Sequence, residues 1–261
     1  MTPEIENGIF TCIDLLKDYL WEVDNNIDFE YEDIGKYLWV HHLHKRLGDF
    51  DYKGSVKDVI INTIANSEWF EKLDVIEEIF IFLNKQENSL MIEEVINRFS
   101  SDLNAYFEEL NFGYRVLDKI IVPVTTDGEK KSIEEAIETS ENNVRMHLHC
   151  ALGKLSERPK GDYRNSIKES ISAVEAYCRN IIDKDTLGNA LAEMEHNGLN
   201  LTASLKAAFL KLYGYTNSPD TGIRHPLMDV DGSYVPTADE AIYMLISCSA
   251  FINYLRKKSV A

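Results

Sequence analysis

Arginine and histidine stand side by side at Arg224 and His225, inside the stretch YGYTNSPDTGIRHPL that runs from Tyr213 to Leu227. Histidine can take and return a proton near neutral pH, and arginine is a permanent cation able to hold charge that develops in a reaction. The pair therefore has the ingredients of metal-free acid–base chemistry on an anionic substrate. Its local geometry resists that use. His225 precedes Pro226, which drives its backbone to the extended region, and successive side chains of an extended segment point to opposite sides. Convergence on one substrate then asks for the Arg of one chain and the His of another, across a symmetric dimer. The competing reading is structural: Arg224 pairs with Glu175, or with Asp220 or Asp229, and pins the loop, while His225 hydrogen-bonds a loop carbonyl.

A second constellation is basic. Lys154, Arg158, Lys160, Arg164 and Lys168 form a cluster interrupted by Glu157 and Asp162. It reads either as a solvated corner between two helices or as a footing for a polyanion. Arg145 and His149 lie one helical turn apart and can form a surface pair. His41, His42 and His44 offer imidazoles without a matching carboxylate or Cys cluster, so no metal site is expected there, and no cofactor anywhere. The chain has no Walker A sequence, no G-x-G-x-x-G after a strand and no H-E-x-x-H. Its four cysteines (Cys12, Cys150, Cys178 and Cys248) are far apart and fall in helical patterns, which reads as buried reduced thiols.

The net charge of −17 on 261 residues argues against a nucleic-acid partner only on average. Residues 1–128 carry 11 Lys+Arg against 26 Asp+Glu, whereas residues 129–261 carry 16 against 18. A polyanion would therefore have to meet the second half. Hydrophobic residues make up 44% of the chain, enough for a large core. No apolar run reaches the ~18 residues of a membrane span. The opening MTPEIENGIF lacks the basic region of a signal peptide, and a cytoplasmic location is expected.

The elements that must position these residues are helices. Thr2-Pro3 opens the first, on which Ile5, Ile9, Ile13, Leu16 and Leu20 recur at helical spacing. Others are expected over about 31–46, from Ser55, over EWFEKLDVIEEIFIFLNK, and from Ser89 to a stop at Gly113. Trp39 and Trp69 are expected in the core of this half. YRVLDKIIVPVT is short, β-branched and closed by Pro123, which suits a small hairpin. TTDGEKKS then marks a boundary between domains 1–128 and 129–261. In the second, a capping box at Ser132-x-x-Glu135 opens a helix to about Ser156. Asp162 and Thr186 cap the next two, a fourth stops at Gly214, and Thr237-x-x-Glu240 opens the last. The expected architecture is all-α, two helical domains with a small hairpin near the junction, the second domain an antiparallel bundle. Between Gly214 and Thr237 lies a loop of about twenty residues holding Arg224 and His225, of a length that reads as either functional or disordered.

GDYRNSIKESISAVEAYCR (161–179), DTLGNAL (185–191), LKAAFLKLYGYTNSPDTGIRHPL (205–227) and AIYMLISCSAFINYL (241–255) resemble the HEPN-type helical domain of bacterial abortive-infection proteins. YLWVHHLHKRLGDF, SEWFEKLDVIEEI and GYRVLDKIIVPVT resemble the AbiJ-type N-terminal domain fused to such domains. The resemblance implies a role in anti-phage defence, with the HEPN-like half binding or cleaving RNA as a metal-independent endoribonuclease. The family motif is an arginine, four to six intervening residues and a histidine, meeting at a dimer seam; here Arg224 and His225 have nothing between them. The alternative is a non-catalytic dimerisation or sensing module that recognises a phage or host component. A homodimer through the second half is implied, and Ala173, Ala176 and Tyr177, beside the main apolar stripe of their helix, suggest the surface.

Overall fold

The computed structural model describes residues 1–23, 31–50, 56–86, 89–124, 126–182, 184, 186–199, 201–218, 223 and 234–259. Its described residues form an all-α protein with one two-stranded hairpin near the middle. The chain divides into two compact units, Met1–Ile121 and Val122–Ala261, a border seven residues before the one expected at 128/129.

The first unit is built on α1 (Pro3–Val23), α2 (Tyr31–Tyr37), α3 (Val56–Asn66), α4 (Trp69–Asn84) and α5 (Ser89–Glu109). α1 and α5 lie antiparallel, as the pairs Tyr19–Asp102 and Arg98–Glu22 show. Gly8 lets them approach closely, since a Cβ there would come within 3.0 Å of the Tyr106 ring. Ile9, Ile13 and Leu16 from α1, Leu73, Ile76 and Phe80 from α4, and Phe99, Leu103 and Phe107 from α5 share one core. Lys72 is buried in this unit and satisfied by an ion pair with Glu6.

Several boundaries differ from the sequence reading. The second helix winds into a π-helical turn, Leu38–His42, and ends there, not near Arg46. α5 is stopped by Asn111, not Gly113. Asn111 takes φ 51°, Phe112 N–H reaches Phe107 C=O at 2.7 Å, and Asn111 N–H reaches Glu108 C=O at 3.0 Å. This is the Schellman pattern, closed by a Phe107–Phe112 ring contact at 5.0 Å. Trp69 is 37% exposed and is not core; Trp39 is only partly buried.

The hairpin pairs β1 (Arg115–Leu117) with β2 (Ile120–Val122) through Asp118 and Lys119, both at positive φ as a two-residue type I′ turn requires. Side chains engage its backbone. Asn104 both donates to Val116 C=O (3.0 Å) and accepts from Val116 N–H (2.7 Å), and Glu77 accepts from Ile121 N–H (2.6 Å).

The second unit contains α6 (Asp127–Thr139), α7 (Asn142–Ser156), α8 (Tyr163–Ile181), α9 (Leu187–His196), α10 (Ala203–Asn217) and α11 (Ala238–Ser259). The single helix expected from Ser132 to Ser156 is two. Thr126 and Glu129 form the capping box that starts α6, and Ser140 turns extended to break the run. Arg145 then donates to Ile137 C=O and Ser140 C=O, taking up carbonyls at the end of α6. Asp162 and Thr186 cap α8 and α9 as expected. α10 runs through Gly214 to Asn217.

α7 and α8 are antiparallel neighbours: Asn143 and Asn180 exchange amide hydrogen bonds, and Ser166 Oγ donates to Ala151 C=O at 2.8 Å. The buried face of α8 is wide and includes Ser166, Ser170, Ala173 and Ala176. Small residues at those positions admit neighbouring helices closely. Ala173 and Ala176 are thus covered inside one chain, while Tyr177, the third residue of the expected dimer surface, is half-buried.

Candidate functional site

The five basic residues gather around the turn between α7 and α8. The turn is tight: Asp162 N–H donates to Lys154 C=O at 2.8 Å, and a Cβ on Gly161 would fall 2.6 Å from Leu155 C=O. Glycine is therefore required there on steric grounds. Asp162 caps α8 through Asn165 N–H, and its other carboxylate oxygen accepts from the Asn165 amide. Lys154 is bound to Glu157 at 2.6 Å and lies 3.9 Å from Asp162, and the Glu157 hydrogen bond raises its pKa. Its charge is largely answered within the corner. Lys160 and Lys168 are exposed and Arg164 is half-buried. Arg164 and Lys168 are four apart on α8, hence on one flank. Among the described residues none of these three enters an ion pair within the cluster, so they are its outward-facing charge.

Arg224 and His225 lie outside the described residues, as does the Arg224–Glu175 pairing. Glu175 itself accepts from Tyr213 Oη at 3.0 Å, linking α8 to α10. The ends of the segment carrying the pair are well anchored. Thr216 is buried and donates to Tyr213 C=O, Ile223 is buried, and Tyr215 and Tyr234 join their hydroxyls at 3.1 Å. Burial, with the Tyr234 contact second, pushes the Tyr215 phenol well above its ordinary range. Glu240 accepts from Thr237 N–H at 2.8 Å, half of the expected capping box, and the Thr237 hydroxyl donates to the same carboxylate.

The remaining candidates resolve differently. Arg145 uses its guanidinium on the backbone of α6. Among the described residues no group of three His, Cys, Asp or Glu side chains is placed to hold a metal. Cys12, Cys178 and Cys248 are buried, and burial raises their thiol pKa, Cys12 and Cys178 to about 12; Cys150 is exposed, contrary to expectation. The sequence reading missed His147, whose Nδ1 lies 2.7 Å from Glu169 across the α7–α8 seam. That contact depends on interhelical register, which no spacing within either helix reveals. No helix among the described residues is long and apolar enough to cross a membrane.

These features define a two-unit helical protein whose second unit carries a basic interhelical corner. The family AbiJ N-terminal domain 4 matches residues 1–139, just over half of the chain. The chain belongs to that family and is an AbiJ-type protein. No curated protein and no solved structure matches it.

Proposed function

We propose that this AbiJ-type protein is an abortive-infection effector whose second, HEPN-like half engages RNA, and that it acts in the cytoplasm. AbiJ family membership carries the reading. The outward-facing charge of Lys160, Arg164 and Lys168, in the half of the chain that is not strongly acidic, supports RNA as the ligand. In the catalytic form, His225 takes the 2′-hydroxyl proton as the 2′-oxygen bonds to phosphorus and returns it to the 5′-oxygen as the P–O5′ bond breaks, while Arg224 stabilises the phosphorane; the two are supplied by different protomers of a homodimer. Cleavage would then survive chelators and leave a 2′,3′-cyclic phosphate. His225→Ala would abolish it with the melting temperature nearly unchanged.

The adjacency of Arg224 and His225 favours a second form, in which the same fold is a non-catalytic module that senses a phage or host component. Arg224→Ala would then lower stability by roughly 1–3 kcal/mol through an orphaned carboxylate, and the wild type would show no nuclease activity. Cleavage gels and melting curves on these two variants decide between the forms. Failure of the wild type both to bind and to cut RNA rejects the RNA reading altogether.

A further inference from the structure

Between Asp33 and Asp49 the chain carries no acidic residue, although residues 1–128 are 15 charges negative. The same interval holds Lys36, His41, His42, His44, Lys45 and Arg46. Its backbone is locked after the π-helical turn. Lys45 N–H donates to Trp39 C=O at 2.9 Å, and the Trp39 indole N–H donates to Arg46 C=O at 3.0 Å. That clamp holds His44 at φ 51°, an uncommon conformation for a residue with a Cβ. His44, Lys45, Arg46 and Leu47 are exposed, Leu47 by 49%. Other cations of this unit are committed: Lys36 to Asp33, Lys72 to Glu6, Arg98 to Glu22 and Lys119 to Glu93. Lys45 and Arg46 are not. Lys45 Nζ rests 4.3 Å over the Trp39 ring, and the Arg46 guanidinium lies along Gly48, where a Cβ would be 3.6 Å from its Nε. Among the described residues neither meets a carboxylate at ion-pair distance. A neutral neighbour fixes each cation in place without answering its charge.

We infer that this clamped loop is a docking point for a partner protein, recognised by a short acidic segment that carries two carboxylates and an apolar residue. The planar fork of Arg46 takes one carboxylate by two hydrogen bonds, Lys45 takes the other as a point charge, and Leu47 packs on the apolar residue. The acidity of the rest of the unit sharpens the choice. Its repulsion is screened beyond about 8 Å at physiological salt, so two carboxylates delivered on the loop are attracted while a polyanion tracking across the unit is repelled. RNA also finds no open stacking platform here, because the Trp39 and Tyr37 rings already carry Lys45, His41 and Lys85. The surface belongs to the first unit and does not depend on whether the basic corner of the second engages RNA.

Fluorescence anisotropy on the full chain tests it, with the labelled peptide Gly-Ser-Glu-Leu-Glu-Leu-Glu-Ser-Gly as probe. The wild type should bind it saturably, and should bind the same peptide with glutamine in place of glutamate about tenfold more weakly or worse. The double variant Lys45→Glu, Arg46→Glu should lose affinity for the acidic peptide by a similar factor, with an unchanged circular dichroism spectrum. Arg46→Gln keeps the backbone carbonyl that Trp39 uses, so it leaves the clamp intact and should still weaken binding severalfold. Titration of a short single-stranded RNA should give the same curve for the wild type and both variants, which separates this loop from the basic corner. A wild type that does not bind the acidic peptide overturns the inference, as does peptide binding that survives the double reversal. So does a loss of RNA affinity in these variants, which would make the loop a nucleic-acid surface.

Discussion

Glu135 is gripped by two cations, Arg256 Nη2 and Lys257 Nζ, each at 2.9 Å. Their interactions, led by the Lys257 hydrogen bond, hold its carboxyl below the ordinary 4.5. A carboxylate lowered in the folded state adds stability at pH above its unfolded pKa, and that contribution disappears as pH falls through the folded value. Glu135→Gln should therefore lower the melting temperature at neutral pH, and the gap to wild type should close in acid, once both forms are uncharged. The group is partly exposed, so solvent screening keeps the effect modest and salt should shrink it further. A gap that stays constant across the acid range would assign the loss to packing. Nearby, Asn253 donates to Ser132 C=O, so the same turn of α11 holds α6 by a neutral bond that pH leaves alone.

Elements differ in how plainly their limits are written. Helical stripes such as Ile9–Ile13–Leu16 are local patterns, and the helices they mark are present. The hairpin was equally legible, because a short stretch rich in β-branched residues is closed by Pro123. Helix ends were less so. Gly113 and Gly214 are the obvious stops by residue type, yet Asn111 accepts the left-handed backbone and α10 passes through Gly214. In the first case a Phe107–Phe112 contact decides where the turn closes; such a contact belongs to tertiary packing, which propensity does not see. The break at Ser140 had a local signal, the polar run Thr139-Ser140-Glu141-Asn142-Asn143, which was outweighed by the apolar pattern on either side. The hairpin also depends on something spacing cannot show, the amide of Asn104 bracketing Val116 from α5. Asn104→Ala removes both bonds and should cost about 1–3 kcal/mol in denaturant unfolding. Asn104→Asp retains the acceptor for Val116 N–H and should cost less; equal losses would refute the bracketing role.

At the scale of the whole molecule, the separation of charge is the feature that sequence alone made visible, and it bears on which half can meet a polyanion. Residues 1–128 are 15 charges negative and residues 129–261 only 2. The corner that carries outward positive charge was legible as a cluster, but not which of its members are spoken for. Lys154 is tied to Glu157 and Asp162 because the tight turn folds those acids back on it. The segment with Arg224 and His225 drew notice in the sequence only by its length and lies outside the described residues; Tyr215 and Tyr234, nineteen positions apart on either side of it, join their hydroxyls. For RNA held by the proposed corner, Lys160, Arg164 and Lys168 supply the outward charge, with the half-buried Arg158 beside them. Counterion release sets a slope of log affinity against log salt of about −0.7 per neutralised phosphate on a single strand, or roughly −2 for three. Reversing all three to Glu should flatten that slope to near zero and weaken binding at low salt, while Lys154→Gln should change it little. Titrations of a short single-stranded RNA at several salt concentrations read both variants. A wild-type slope that survives the triple reversal would place the RNA on another surface.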